Sequence, residues 1–263
     1  MGKKQLSTVF VSHGAPTMPF EDIPARNFLA ELGNKYKDFK AVLCVSAHWG
    51  TVNPTLNAVE TNETIHDFYG FGPELYEINY PAQGAPELAE HTHDLIIDAG
   101  IPCELDFTRG LDHGAWIPML LMFPNFEMPV FQLSIQENLD PIKHLALGRA
   151  IESLKDEKVL ILGSGGAVHP LGYAPLRPGA ITDSWAVEFN EWLKESVSTG
   201  NMDLLIDYKN QAPYPERAHP YPDHFMPLIT AMAAAGDGAK GTIIHDSWYW
   251  GDLGMGAYEF TVI

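Results

Sequence analysis

Short runs of Val, Leu, Ile and Phe recur along the chain, each closed by small or loop-forming residues: Thr8-Val-Phe-Val-Ser12, Ala41-Val-Leu-Cys-Val-Ser46, Pro129-Val-Phe-Gln-Leu-Ser-Ile135 and Val159-Leu-Ile-Leu162. Runs this apolar read as strands buried on both faces, which belong to a mostly parallel sheet. Further strands are expected over 103–107, 241–245 and 257–262. Between them the apolar spacing turns helical: Phe28, Leu29 and Leu32 within 25–36, and Leu88, Leu95 and Ile96 in a helix that Pro86 opens and Gly100 closes. An apolar run over 117–123 predicts a buried helix. Asp140-Pro141 predicts an N-cap, followed by Ile142, Leu145, Ile151 and Leu154 on one side. Trp185, Phe189, Trp192 and Leu193 face inward from a helix over 183–197, and a last helix is expected from His224 to near Gly236.

Strands alternating with helices, without a linker, short repeat or low-complexity segment, predict a three-layer α/β/α fold with a mostly parallel central sheet. A chain of 263 residues can bury such a core as a single catalytic domain, 1–263. Ligands of parallel sheets collect at the carboxyl ends of the strands. Here the apolar runs end in histidine: His13 after the first, His48 after the second, and His169 beyond the Gly163-Ser-Gly-Gly166 turn. Three imidazoles delivered to one sheet edge are expected to converge on a metal ion.

Charge narrows the partners. Lys and Arg number 16 against 34 Asp and Glu, a formal charge of −18 that repels phosphate backbones and argues against nucleic acid. No apolar stretch approaches a membrane span, and the basic start carries no secretory signal. Cys44 and Cys103 alone cannot form a disulfide framework or a cysteine zinc site, so a reducing cytoplasm is the expected setting. The aromatic run Trp248-Tyr-Trp250 reads as core or subunit contact, which leaves room for a homo-oligomer.

The other histidines carry weaker signals. His113 stands between Asp112 and Gly114, and His224 follows Asp223 where a loop rich in Pro and Tyr enters a helix. His219 lies earlier in that loop and competes with His224 for the same role. His91-Thr-His93 reads as a solvated helix face, His144 as structural or surface, and His245 stays undecided. The glycine turn before His169 lacks the Lys of a phosphate loop, and there is no Gly-x-Ser-x-Gly elbow or His-Glu-x-x-His zinc helix.

Taken in order, Ser12-His13-Gly-Ala-Pro16, Ser46-Ala-His48-Trp49, Thr64-Ile-His66-Asp-Phe-Tyr-Gly-Phe71, Gly110-Leu-Asp-His113-Gly-Ala-Trp116, Val168-His169-Pro170 and Pro222-Asp-His224-Phe-Met-Pro-Leu228 resemble the class III extradiol ring-cleaving dioxygenases, most closely their small single-chain 4,5-DOPA extradiol dioxygenase-like branch. The resemblance covers nearly the whole chain. It implies an enzyme that opens a catechol ring beside its two hydroxyls with O2, using Fe(II). It implies His13, His48 and His224 as metal ligands, His169 as an acid/base close enough to join the metal shell, and His113 as a second catalytic histidine; His66 takes no role beyond the pocket. Oligomeric members of the family carry a carboxylate where this chain has His224. An all-histidine set lacks that negative charge and suits Zn(II) as well, unless Asp223 or Glu216 supplies a carboxylate. The expected partners are a small catechol and O2, with Trp49, Phe68, Tyr69 and Trp116 as apolar walls. The second reading from the same histidines is a zinc-dependent hydrolase.

Overall fold

A computed structural model describes residues 8–172 and 176–262. The basic start of the chain, Met1 to Ser7, lies outside the described residues. The described residues form ten strands: β1 (Thr8–Ser12), β2 (Ala41–Thr51), β3 (Thr55–Asn57), β4 (Glu104–Asp106), β5 (Val130–Gln136), β6 (Val159–Gly165), β7 (Lys240–His245), β8 (Trp248–Tyr249), β9 (Leu253–Gly254) and β10 (Ala257–Thr261). Eight of them make one sheet in the order β4-β3-β5-β2-β6-β1-β10-β7, and β8 with β9 forms a separate pair. The four central strands, β5-β2-β6-β1, run parallel. The C-terminal strand β10 lies antiparallel to β1, with Thr8 opposite Phe260, so the two ends of the described chain meet in the sheet.

Alternation within the apolar runs explains the layers. Phe10, Leu43, Val45 and Ile161 point to one face, and Val9, Val11, Val42, Cys44, Leu160 and Leu162 to the other, all fully buried. A strand buried on both sides has no solvent face to keep polar, hence the uninterrupted hydrophobic sequence. Helices Pro86–Asp98, Pro141–Ala150, Ser184–Thr199 and Met226–Ala234 cover the first face, and Pro24–Tyr36 and His113–Met122 the second. The three-layer α/β/α expectation therefore holds. No helix among the described residues is long and apolar enough to cross a membrane.

Several local expectations change. The second strand does not stop before His48 but runs to Thr51, with a register shift against β5 between Ser46 and Gly50. The helix expected over 117–123 begins at His113, capped by the Asp112 carboxylate, which accepts from Ala115 N at 3.2 Å. The helix after Asp140 ends at Ala150; Ile142 points to solvent, while Ile151 and Leu154 are buried in the turn that follows. Ile142 is therefore off the inward face, because the core meets the stripe of His144, Leu147 and Gly148 instead.

His144 is fully buried, not on the surface. Its Nδ1–H donates to the Asp140 carbonyl at 2.8 Å, and its Nε2 accepts from Gln136 N at 3.2 Å, tying the end of β5 to the next helix. Burial pushes its pKa down to about 4 from 6.5. Between those values the unfolded chain binds the extra proton, so the contribution is complete above about pH 6.5 and is lost as pH falls toward 4. The loss is on the order of 3 kcal/mol at the acid end. Urea unfolding of metal-free protein between pH 7 and 4 should show stability falling with acid, less steeply in a His144→Gln variant; equal slopes would contradict this assignment.

Candidate active site

β2, β6 and β1 are neighbours and parallel, so the residues at their carboxyl ends share one edge. His13 follows β1 directly, its backbone N–H donating to Gly165 O at 3.1 Å. His48 is aimed by the irregular stretch between Ser46 and Gly50, since extra residues in one strand bend it and redirect its side chains. His113 opens its helix. His169 lies beyond β6 with its N–H on Ala218 O at 2.8 Å. His224 ends the short turn Pro222–His224.

The glycine-rich end of β6 has a structural purpose rather than a phosphate-binding one. Gly166 N donates to His224 O at 3.0 Å. A Cβ on Gly165 would run into that same carbonyl, and one on Gly163 into the carbonyl of Pro227. The missing side chains let the segment carrying His224 lie against β6. Gly165→Ala should lower stability by about 1–3 kcal/mol through overpacking and should also weaken metal binding by moving His224. Thermal unfolding with a metal titration checks both; unchanged metal affinity would remove the positioning role.

The three ring nitrogens that come together are Nε2 atoms. His48 Nε2 stands 3.0 Å from His13 Nε2 and 3.2 Å from His224 Nε2. What holds the opposite nitrogen decides the tautomer. The Ser164 hydroxyl donates to Gly114 O, so its oxygen accepts from His13 Nδ1–H at 3.0 Å. Asp223 Oδ1 accepts from His224 Nδ1–H at 2.9 Å and from its backbone N–H at 2.8 Å. Asp67 Oδ2 faces His48 Nδ1 at 3.7 Å. In His13 and His224 the proton is thereby drawn to Nδ1, and their bare Nε2 lone pairs point at His48 Nε2. Uncompensated, such lone pairs repel. Ligand nitrogens about 2.0–2.1 Å from an ion stand about 3 Å apart when they subtend a right angle, so the spacing suits a bound cation.

The rings are neutral, as ligands must be. Burial lowers the pKa of His13 well below 6.5, with His48 and His224 adding to it, and burial with His169 and His48 does the same to His224. Burial and then His113 bring His48 down to about 3, against the pull of Asp67 and Asp223. His169 is held at about 4 chiefly by burial.

His113 comes closer than its sequence position suggests. One ring nitrogen each from His13, His48 and His113 lie within 4.8 Å of one another, a group that could hold a metal. Its partner is Asp67 rather than the adjacent Asp112: Asp67 Oδ1 accepts from both the Nδ1–H and the backbone N–H of His113, each at 2.9 Å. Burial pushes the Asp67 carboxyl up, but His113 and His48 outweigh it and hold the group at about 2. Asp112 instead accepts from Ser46 Oγ at 2.6 Å, and Ser46 Oγ accepts from His48 N at 3.2 Å. His169 lies flat on His224, ring centroids 3.5 Å apart and planes within 6°.

A cavity of about 400 Å³ opens over these residues, lined by His48, Asp67, His113, His169 and His224 at one end. Phe68 and Tyr69 line it as expected. Trp49 and Trp116 do not: Trp49 carries the Arg109 guanidinium on its face, and Trp116 is fully buried with Nε1–H on Ile65 O. Phe71, Leu176, Leu253 and Trp250 take their place, so the Trp248-Tyr-Trp250 run contributes to the pocket wall. His219 is excluded, its Nε2 on Ala167 O at 3.1 Å and its ring packed among Phe189, Tyr208 and Phe225. His66 binds Ile78 O at 3.0 Å, and His245 stacks on Phe28. Glu216 is exposed on a short helix, and Asp223 supports His224 from behind. The carboxylate that sequence reasoning missed as a contact of the site is Asp67.

Residues 7–261 match the family described as the catalytic LigB subunit of aromatic ring-opening dioxygenase. The chain belongs to that family. It is a metal-dependent, ring-opening dioxygenase, and this membership does not favour the hydrolase reading. The chain is 44% identical over 258 residues to the "4,5-DOPA dioxygenase extradiol" of Beta vulgaris, covering 97% of this chain and 96% of that protein. It is 33% identical to the Escherichia coli (strain K12) protein of the same name, covering 89% and 87% respectively. The crystal structure of an uncharacterized protein from Escherichia coli K12 superposes with a TM-score of 0.78 at 29% identity, over 97% of this chain and 98% of that one.

Proposed function

We propose that the chain works as one catalytic unit that opens a small catechol of DOPA type at an extradiol bond, with Fe(II) held by Nε2 of His13, His48 and His224. The observation that carries this reading is the meeting of the Nε2 atoms of His13 and His224 with that of His48, at 3.0 and 3.2 Å, the Nδ1 protons of His13 and His224 being taken by Ser164 and Asp223. Those nitrogens would hold Fe(II), which would supply Lewis-acid and redox chemistry toward a catechol and O2. Zn(II) fits the same nitrogens but has no redox chemistry to offer.

The remaining work falls to the chain. Asp67 keeps the His113 proton on Nδ1, which leaves His113 Nε2 free to take a hydroxyl proton. His169, neutral and buried against His224, is the second proton carrier: it takes the proton of the other ring hydroxyl and gives that proton back as the ring opens. His169 is also the candidate for a fourth ligand, which its variant decides. Phe68, Phe71 and Trp250 hold the flat ring and keep water from it.

The test is anaerobic reconstitution with Fe(II) or Zn(II), followed by oxygen uptake with a catechol panel of DOPA, caffeate and protocatechuate. Oxygen consumption and a yellow ring-opened product with Fe(II) alone are expected. Equal rates with zinc, or no uptake with any catechol, would refute the reading.

A further inference from the structure

Two segments far apart in the sequence share the cavity wall: Gly14, Ala15 and Pro16, directly after His13, and Trp250 with Leu253 in the β8–β9 hairpin. Tyr249, buried beside Trp250 and outside the lining, ties them together. Its hydroxyl donates to Glu21 Oε1 at 2.5 Å, and the Thr17 hydroxyl donates to the same oxygen at 2.7 Å. Burial and then the Glu21 carboxylate raise the Tyr249 pKa, so the phenol keeps its proton and remains the donor. Thr17 and Glu21 belong to a turn closed by backbone bonds, with Met18 N on Ala15 O, Phe20 N on Thr17 O and Glu21 N on Met18 O. The turn that lines one part of the cavity therefore grips the hairpin that lines the other.

Trp250 stands in the left-handed region at φ 50°, and Gly251 follows at 91°. A bulky residue in that region is strained and persists only where its surroundings over-determine it, as they do at ligand clamps. Trp250 O accepts from Arg177 N at 3.2 Å, and Gly251 O accepts from Thr182 Oγ1 at 2.7 Å, which holds the backbone of the turn. The Tyr249 ring lies against the Trp250 ring with centroids 4.7 Å apart, which holds the indole.

We propose that Tyr249 is a positioning residue for the substrate: anchored by Glu21 and Thr17, it fixes the Trp250 indole as the wall on which the aromatic ring packs. The inference rests on the catechol reading above. The histidines have supports of their own, His13 on Gly165 O and Ser164 Oγ and His224 on Asp223. Loss of the anchor therefore acts on substrate affinity and leaves the metal and the proton carriers in place.

Tyr249→Phe removes the hydroxyl and keeps the ring. In the Fe(II)-loaded enzyme it should raise KM for catechols by roughly tenfold, within reach of a lost hydrogen bond to a charged group. Metal content should be unchanged and kcat nearly so, the pattern of lost binding that does not reach the chemical step. The anaerobic Kd of 4-nitrocatechol, read by its absorbance, should rise by a similar factor. Glu21→Ala should act alike, and the double variant should be no worse than Glu21→Ala, because both changes cut the same bond. Amide exchange at residues 248–254 should quicken in Tyr249→Phe while the central strands keep their protection. Effects that multiply in the double variant, exchange that quickens throughout the chain, or a loss carried by kcat or metal content overturns the proposal. Wild-type enzyme that opens catechols beside a Tyr249→Phe variant of equal KM overturns it while the function stands; wild-type enzyme that binds and opens no catechol removes both.

Discussion

Replacing His48 with Ala should abolish stoichiometric metal binding. His48 Nε2 is the nitrogen that stands close to both others, 3.0 Å from His13 and 3.2 Å from His224, so its removal takes away the shared corner of the site. Loss of an outer-shell partner alone costs about 10–100-fold in metal affinity or activity, and loss of a ligand should exceed about a hundredfold. His13→Ala should behave alike. Neither change should unfold the chain: Ser164 still donates to Gly114 O without His13, and Asp67 keeps both His113 N–H groups without His48. Metal analysis beside thermal unfolding separates the two effects. Full metal content in both variants would sink the ligand assignment.

The second large effect is expected at the two proposed proton carriers. His113→Phe and His169→Gln should each lower kcat by roughly 10²–10⁴, the range for removing a positioned acid or base, while retaining metal. The expectation for His113 follows from its Asp67-fixed tautomer, and that for His169 from its stacked position on His224. Metal loss in His169→Gln would move that residue into the shell, and metal loss in His113→Phe would do the same for the group of His13, His48 and His113. Unchanged turnover in both would end the acid/base assignment.

Much of this site was legible because strand runs announce themselves. β1, β2 and β6 are buried on both faces, so their sequences are continuous apolar stretches, and the residues after them fall at one edge whatever the loops do. His13, His48 and His169 were found that way. Pattern did not separate His219 from His224, since both sit in one loop; in space the His224 carbonyl lies against Gly165 and its Nε2 stands 3.2 Å from His48 Nε2, whereas His219 Nε2 is on Ala167 O. Asp67 gave no signal as a partner of His113 because the two are brought together by long-range packing rather than by spacing. Trp116 and Trp250 exchanged places for the same reason: a tryptophan on a buried helix and one beside a turn look alike until the layers are assembled. The extension of β2 past His48 escaped because an irregular stretch breaks the two-residue period that marks a strand.

The destination of the oxygen atoms tests ring-opening by O2 most directly. Fe(II)-loaded enzyme turned over with a catechol under labelled dioxygen, with the product reduced at once to prevent exchange with water, should yield a ring-opened product carrying both atoms of the same O2. Product oxygen drawn from water, or a product with its aromatic ring intact, would contradict it.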